Sequence, residues 1–310
     1  MAGCDSRPTG PRVFIARGQR YDRPLEPVIR DGLIATGLDP SWFAGRRVLL
    51  KPNLVEPGRD RPQATTHPAM IVAAAEVFRQ WGASVSVGEG AGHVRDTEAI
   101  LHDSAVIGPL AGARLPFHDL NYAETRQVEN RGRASRLASF QLPDCVIEAD
   151  LVVSLPKLKT HHWIGMTASM KNLFGTLPGC IYGWPKNVLH HLGIPETVFD
   201  LVVSLPRSIA IVDAIDCMEG DGPILGDLKA MGLVVIGDDL AAVDSTCARI
   251  MGFEPGRLTY LDLARSRGLE IRADRIQQRG ESIESVRSRF RIIDAPHLTH
   301  LRNPTIASIH

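Results

Sequence analysis

The chain is poor in paired cysteines. Cys4, Cys145, Cys180, Cys217 and Cys247 are scattered, odd in number and free of any C-x-x-C spacing. That spacing excludes a self-contained zinc or iron–sulfur site built from cysteines. It fits free thiols in a reducing cytoplasm. Net charge is lacking too, because 35 Lys+Arg balance 35 Asp+Glu. With no basic excess and no basic stripe interleaved with aromatics, nucleic acid is not an expected partner. Apolar runs all fall short of the ~18 residues that cross a bilayer. The opening MAGCDSRPTGPRVFIARG has no hydrophobic h-region. A cytoplasmic protein without a membrane partner is expected, and a homodimer stays open.

What is present is an alternation of strands and helices. RVFIA, RRVLLKPNL, SVSVGEGAG, LPFHDLN, SIAIVDAID and KAMGLVVIGDD read as strands. PLEPVIRDGLIATGL, THPAMIVAAAEVFRQWGA, TEAILHDSAV, PETVFDLVVSLP and LAAVDSTCARIMG read as helices. Thr66 is placed to cap the second helix and Asp239 the last. The alternation predicts an α/β fold: a mostly parallel, mixed sheet with helices on both faces. One domain over residues 1–271 is expected, followed by an extension over 272–310 where the pattern weakens.

Polar clusters sit at several strand ends, where α/β sheets bind ligands. Lys51 and Asn53 follow the strand VLL, which suits a carboxylate or phosphate as well as it suits a solvated strand end. VGEGAGHVRDTE brings three glycines before His93, Arg95 and Asp96. Glycines let backbone approach a ligand, and His93 is a candidate general base. The spacing departs from the G-x-G-x-x-G dinucleotide fingerprint.

LPKLKTHHWIGMTASMKNLFGTLPG (residues 155–179) is the densest cluster. On an extended backbone Lys157, Lys159 and His161 point to one side, with Thr160 and His162 opposite. Lys171 and Asn172 open the next element. A solvated face would explain the lysines, but explains HHW and the neighbouring glycines poorly. Downstream, WPKNVLHHLG places His190 and His191 early on a helix, so that at most one faces a site. His161, His162, His190 and His191 are candidate metal ligands. Asp213, Glu219 and Asp244 are acidic residues that would pair lysines or orient histidines, or serve simply as turn aspartates and caps.

LLKPNLV, GEGAG, LPKLKTH, MKNLFGTLPG and VIGDDLAAVDSTCARIMG resemble the family known as domain of unknown function 362, over roughly residues 46–252. Many of its members carry a ferredoxin-like module with iron–sulfur clusters, whose cysteine array is missing here. That departure puts an electron-transfer role in doubt. The chain also bears a distant resemblance to the nickel-pincer lactate racemases. GAGHVRDTE stands where they have a catalytic histidine, with Gly-His-Val-Arg in place of Thr-His-Arg-Pro. His161 and Lys171 are ten apart, LPG follows, and His190 or His191 comes after. The resemblance implies that Lys171 anchors a cofactor, that His161 and His190 or His191 approach a metal, and that His93 moves protons.

These residues lead to one expectation. It is an enzyme acting on a small anionic metabolite, isomerase- or racemase-like, in which Lys51, Asn53, Lys157, Lys159 and Asn172 hold the anion and Lys171, His161 and His93 do the chemistry. A metal or lysine-linked cofactor stays open. The rivals are a redox or metal-binding protein that serves a partner, and a non-catalytic anion-binding module.

Overall fold

The computed structural model describes residues 10–55, 61–92 and 95–302. Its strands are β1 (Arg12–Ala16), β2 (Arg47–Pro52), β3 (Ser84–Glu89), β4 (Phe117–Asp119), β5 (Thr125–Glu129) and β6 (Ser139–Pro143). They continue with β7 (Leu151–Leu155), β8 (Lys157–His161), β9 (Gly165–Thr167), β10 (Ser208–Glu219), β11 (Asp227–Gly237) and β12 (Gln277–Gly280). One sheet runs β12-β1-β11-β10-β7-β2-β3-β4, and β8 with β9 branches from β10. The run from β10 through β7, β2 and β3 to β4 is parallel, whereas β11 is antiparallel to both β1 and β10. The fold is α/β with a mostly parallel, mixed sheet.

Period-two alternation divides the sheet between two cores. Leu49, Val152, Ala210, Val212 and Val235 face one, with the helices Ile194–Ser204 and Leu240–Ile250. Val48, Leu50, Val153, Ile211 and Ile236 face the other, with the helices Glu26–Ala35 and Pro68–Gln80. Strands covered on both faces read as continuous apolar runs, as VLL and LVV do. Asp239 caps its helix through Ala242 N–H. The cap at Pro68–Gln80 is not Thr66. His67 accepts from Ala69 N–H, while the Thr66 hydroxyl, already at the sheet, donates to Leu155 O at 2.6 Å.

β12 pairs in parallel with β1 as the sheet's edge strand. The arginine-rich stretch from Arg126 to Arg136 begins within the hairpin of β5 and β6, where Arg126 meets Asp144 and Glu148. No described helix is long and apolar enough to cross a membrane.

One irregularity shapes the site. β7 and β8 both run parallel to β10, separated by Pro156, and the register along β10 shifts between Asp213 and Met218. A proline cannot donate to a ladder, so the chain steps off β7 there and continues as β8. Asp213 N–H closes the step on Pro156 O at 2.9 Å.

Candidate functional site

A cavity of about 480 Å³ lies beyond the ends of β2 and β3, beside β8. Its size is that of a small-molecule site. Lys51, Lys159, Lys171 and Lys186 line it, with Glu89 the single carboxylate among the described lining residues. His161, His162, His190 and His191 line it as well. The wall therefore carries four amines against one acid, although the chain as a whole is neutral.

Each amine is held differently. Lys51, 1% exposed, reaches from the end of β2 to Glu89 at 2.8 Å. It also donates to Pro52 O at 2.6 Å and to Asn172 Oδ1 at 3.3 Å. Burial lowers its pKa against the pull of Glu89. Glu89 ends β3 and further accepts Leu54 N–H at 2.8 Å and Gly90 N–H at 2.9 Å. Gly175 lies directly over this pair. A Cβ there would stand 2.5 Å from Glu89 Oε1 and 2.6 Å from Lys51 Nζ, so the close approach requires glycine.

Lys159, fully buried, donates to Ala64 O at 2.7 Å. Burial, then Lys157 and Lys171, push its pKa well below the ordinary lysine value. Lys186 donates to Gly90 O at 3.0 Å and Phe174 O at 3.3 Å, and burial brings it to about 7. Its backbone lies in the left-handed region, with φ 65°, a conformation that costs energy for a side chain with a Cβ. Lys171 differs from all three. Its Nζ sits 4.3 Å from the Phe174 ring centroid and has no hydrogen-bond partner among the described residues. Lys171 is half-buried, and partial desolvation, then the neighbouring Lys51, lower its pKa to about 8.

The short helix Ser169–Asn172 places Lys171, and Asp244 places the helix. Its carboxylate accepts Ser169 N–H at 2.6 Å, the Ser169 hydroxyl, Met170 N–H at 3.2 Å and Tyr260 O–H at 3.0 Å. Burial raises Asp244 to about 6 despite these bonds. Asn172 spans the floor, donating to Lys51 O at 2.8 Å and Ser154 Oγ at 3.1 Å. Two lining atoms lack a partner among the described residues: Asn53 Oδ1 and Thr167 Oγ1, in residues only 8% and 4% exposed. Buried polar atoms normally find partners, and these two face the cavity without one.

The histidines are fixed in opposite tautomers. Trp163 N–H donates to His161 Nδ1 at 3.0 Å, so the neutral ring carries its proton on Nε2. Burial, then Lys171, hold His161 well below its ordinary pKa. His190 Nδ1 faces the Lys186 carbonyl at 3.0 Å. A carbonyl only accepts, so Nδ1 carries the proton and Nε2 keeps its lone pair. Burial also lowers His190. His161 thus supplies an imidazole N–H on Nε2, and His190 an imidazole lone pair on Nε2, as does His162, whose Nδ1 faces Gly222 O at 2.8 Å.

Several sequence expectations change here. Lys157 does not line the cavity. It is buried one step back on β8, where Asp213 takes its amine at 2.7 Å and Tyr21 OH lies at 2.8 Å. Asp213 accordingly serves this pair rather than the cavity. His162 is not on the far side, because β8 ends at His161 and the turn brings both rings to the wall, centroids 5.1 Å apart. His190 and His191 both line the cavity, since the one-turn helix Asn187–His191 lies across it. Glu219 pairs with Lys229 and Arg291 and is not in the lining. His93 lies outside the described residues.

The four-histidine metal set is not assembled. No three His, Cys, Asp or Glu side chains among the described residues converge where they could hold a metal. Nδ1 of His161, His162 and His190 is committed to backbone partners, and the lysines repel a cation. A lysine-linked group would find its anchor in Lys171, whose amine has no hydrogen-bond partner among the described residues. The sequence reading missed Glu89 and Lys186. The signals were a carboxylate set between glycines at a strand end and a lysine between proline and asparagine in WPKN.

Residues 48–249 match the family described as Domain of unknown function (DUF362), and the chain belongs to that family. It is 28% identical over 232 residues to the thylakoid-associated protein sll1697 of Synechocystis, covering 73% of this chain and 69% of that protein. Among solved structures, the lactate racemase apoprotein of Thermoanaerobacterium thermosaccharolyticum is similar with a TM-score of 0.46 and 14% identity. That similarity covers 77% of this chain, which spans 57% of the racemase's length.

Proposed function

With the chain a member of this family, we propose that it is an enzyme that binds a small carboxylate or phosphate in the lysine-lined cavity and moves a proton on it. The observation that carries this reading is the gathering of four lysines around one carboxylate in a half-enclosed cavity. Desolvated cations attract an anion far more strongly than solvated ones. A non-catalytic binder would need the charge but not the paired tautomers. His161 carries its proton on Nε2, which can donate to a developing oxyanion, and His190 keeps a lone pair on Nε2, which can accept a proton. Lys171 supplies a charge without a carboxylate partner among the described residues, and Lys51 one that is tied to Glu89. Isomerisation or racemisation at a carbon near the anionic group is the reaction class that uses all of these parts.

The test is proton exchange in deuterium oxide. Small 2-hydroxy, 2-oxo and phosphorylated acids are incubated with the enzyme and their carbon-bound protons followed by NMR. Exchange of at least one, lost in Lys171→Ala while the melting temperature holds, is the expected result. Binding without exchange leaves an anion-binding module, and no binding sinks the reading.

A further inference from the structure

We propose that Lys171 captures the substrate covalently, as an imine with a carbonyl compound that also bears a carboxylate, such as a 2-oxo acid. This deepens the proposed function and rests on its anion site. Of the four cavity lysines, three have their amines occupied. Lys51 is bound to Glu89, Pro52 O and Asn172, Lys159 to Ala64 O, and Lys186 to Gly90 O and Phe174 O. The Lys171 amine has no such bond among the described residues and lies over the Phe174 face, in the cavity wall. A nucleophile must have its lone pair free, and a donated hydrogen bond to a carbonyl holds an amine as a donor, away from a substrate carbon. The placement of Lys171 is also stiff, because Asp244 holds the first turn of its helix by four hydrogen bonds.

The neighbours suit the reaction. A lysine becomes a nucleophile when it is desolvated beside a second cation, and Lys51 is that cation, pinned by Glu89 so that it cannot compete for the carbonyl. His161, in the same lining, carries its proton on Nε2 and can hydrogen-bond the carbonyl oxygen as charge develops. The amine nitrogen attacks the carbonyl carbon, and its proton passes to the oxygen, giving a carbinolamine. The C–O bond then breaks with uptake of one proton from solvent, releasing water and leaving a protonated imine. No oxidant or reductant is consumed. The protonated imine acidifies the adjacent carbon, where His190 Nε2 can remove a proton. The carboxylate meets the remaining N–H donors of Lys159 and Lys186, whose other N–H groups stay on their carbonyl partners.

Trapping with cyanoborohydride tests the proposal. The full chain is incubated with 2-oxobutyrate and cyanoborohydride, digested, and mapped by mass spectrometry, with 2-hydroxybutyrate as an anion that cannot form an imine. A reduced adduct on Lys171 is expected, on at least ten times as many molecules as on any surface lysine. It should be absent in Lys171→Arg, which keeps the charge, and competed away by 2-hydroxybutyrate. Calorimetry of both acids runs alongside. Binding of both without an adduct overturns the imine and spares the anion site. Binding of neither overturns the underlying reading. An adduct mainly on Lys186 or Lys159, or a Lys171 already carrying another group in protein from its own host, also overturns the proposal.

Discussion

Replacing Glu89 by glutamine isolates the energetics of the cavity. Glu89 is the only carboxylate among the described lining residues and pairs with a lysine that is 1% exposed. Removing one partner of a buried ion pair costs about 3–5 kcal/mol, since the remaining charge is stranded. The structure limits that cost from above. Lys51 can shed its proton, and moving a lysine from its ordinary pKa of about 10.4 to 7 costs about 1.36 kcal/mol per unit, or about 4.6 kcal/mol. The carbonyl of Pro52 and Asn172 Oδ1 remain as partners, so the loss should fall near the lower figure. At about 2–4 °C per kcal/mol for a chain of this size, the melting temperature should drop by about 10 °C. The sign of the pH dependence follows. In the variant the folded pKa of Lys51 is depressed further, so between that pKa and about 10.4 the unfolded chain holds the extra proton and stability rises with pH. The variant should therefore regain stability relative to wild type from pH 7 to 10. Glu89→Gln/Lys51→Met should recover most of the loss. Urea denaturation at three pH values measures all of this. A loss below about 1 kcal/mol, or a double variant no better than the single, would refute the argument.

Four further outcomes are expected. Lys157→Met should cost about 3–5 kcal/mol by stranding Asp213, yet leave anion affinity unchanged, which calorimetry on the folded variant can check. Gly175→Ala should destabilise and weaken binding together, because its Cβ would press on Glu89 Oε1 and Lys51 Nζ, as thermal melts and calorimetry would show. Asp244→Asn turns an amide toward Met170 N–H and should cost about 1–3 kcal/mol. It should slow exchange more than it weakens binding, by moving Lys171. Imine capture needs the free amine, and Lys171 titrates at about 8. Its rate should thus fall about tenfold per unit below pH 7 and level off above 9, read by the trapping assay.

Strand order is written in this sequence only in part. VLL, LVV and LVVIG are apolar runs that a doubly covered sheet requires, and their alternation with helices pointed to parallel pairing. β12 was hidden because QQRG is a polar edge strand with no apolar signature. The site was legible where charge contradicted burial. Lysines at the ends of apolar strands have no place in a core unless something holds them, and Lys51, Lys159 and Lys171 meet at one cavity. Period two could not separate Lys157 from Lys159, since both leave β8 on the same side and only the position of Asp213 across the strand pair takes one of them away. Glu89 and Lys186 escaped because each makes sense only with its partners, Lys51 across the strand ends and the carbonyls of Gly90 and Phe174, which are distant in sequence.

Calorimetric titration of the wild-type chain and of Lys171→Met with a small carboxylate and with inorganic phosphate tests the central claim most directly. One charge-assisted hydrogen bond is worth about 1.5–3 kcal/mol. The account predicts saturable binding of at least one of the two anions to the wild type, weakened about 10- to 150-fold in a variant that still melts at the wild-type temperature. Absence of binding to the wild type, or equal affinity in the variant, would contradict it.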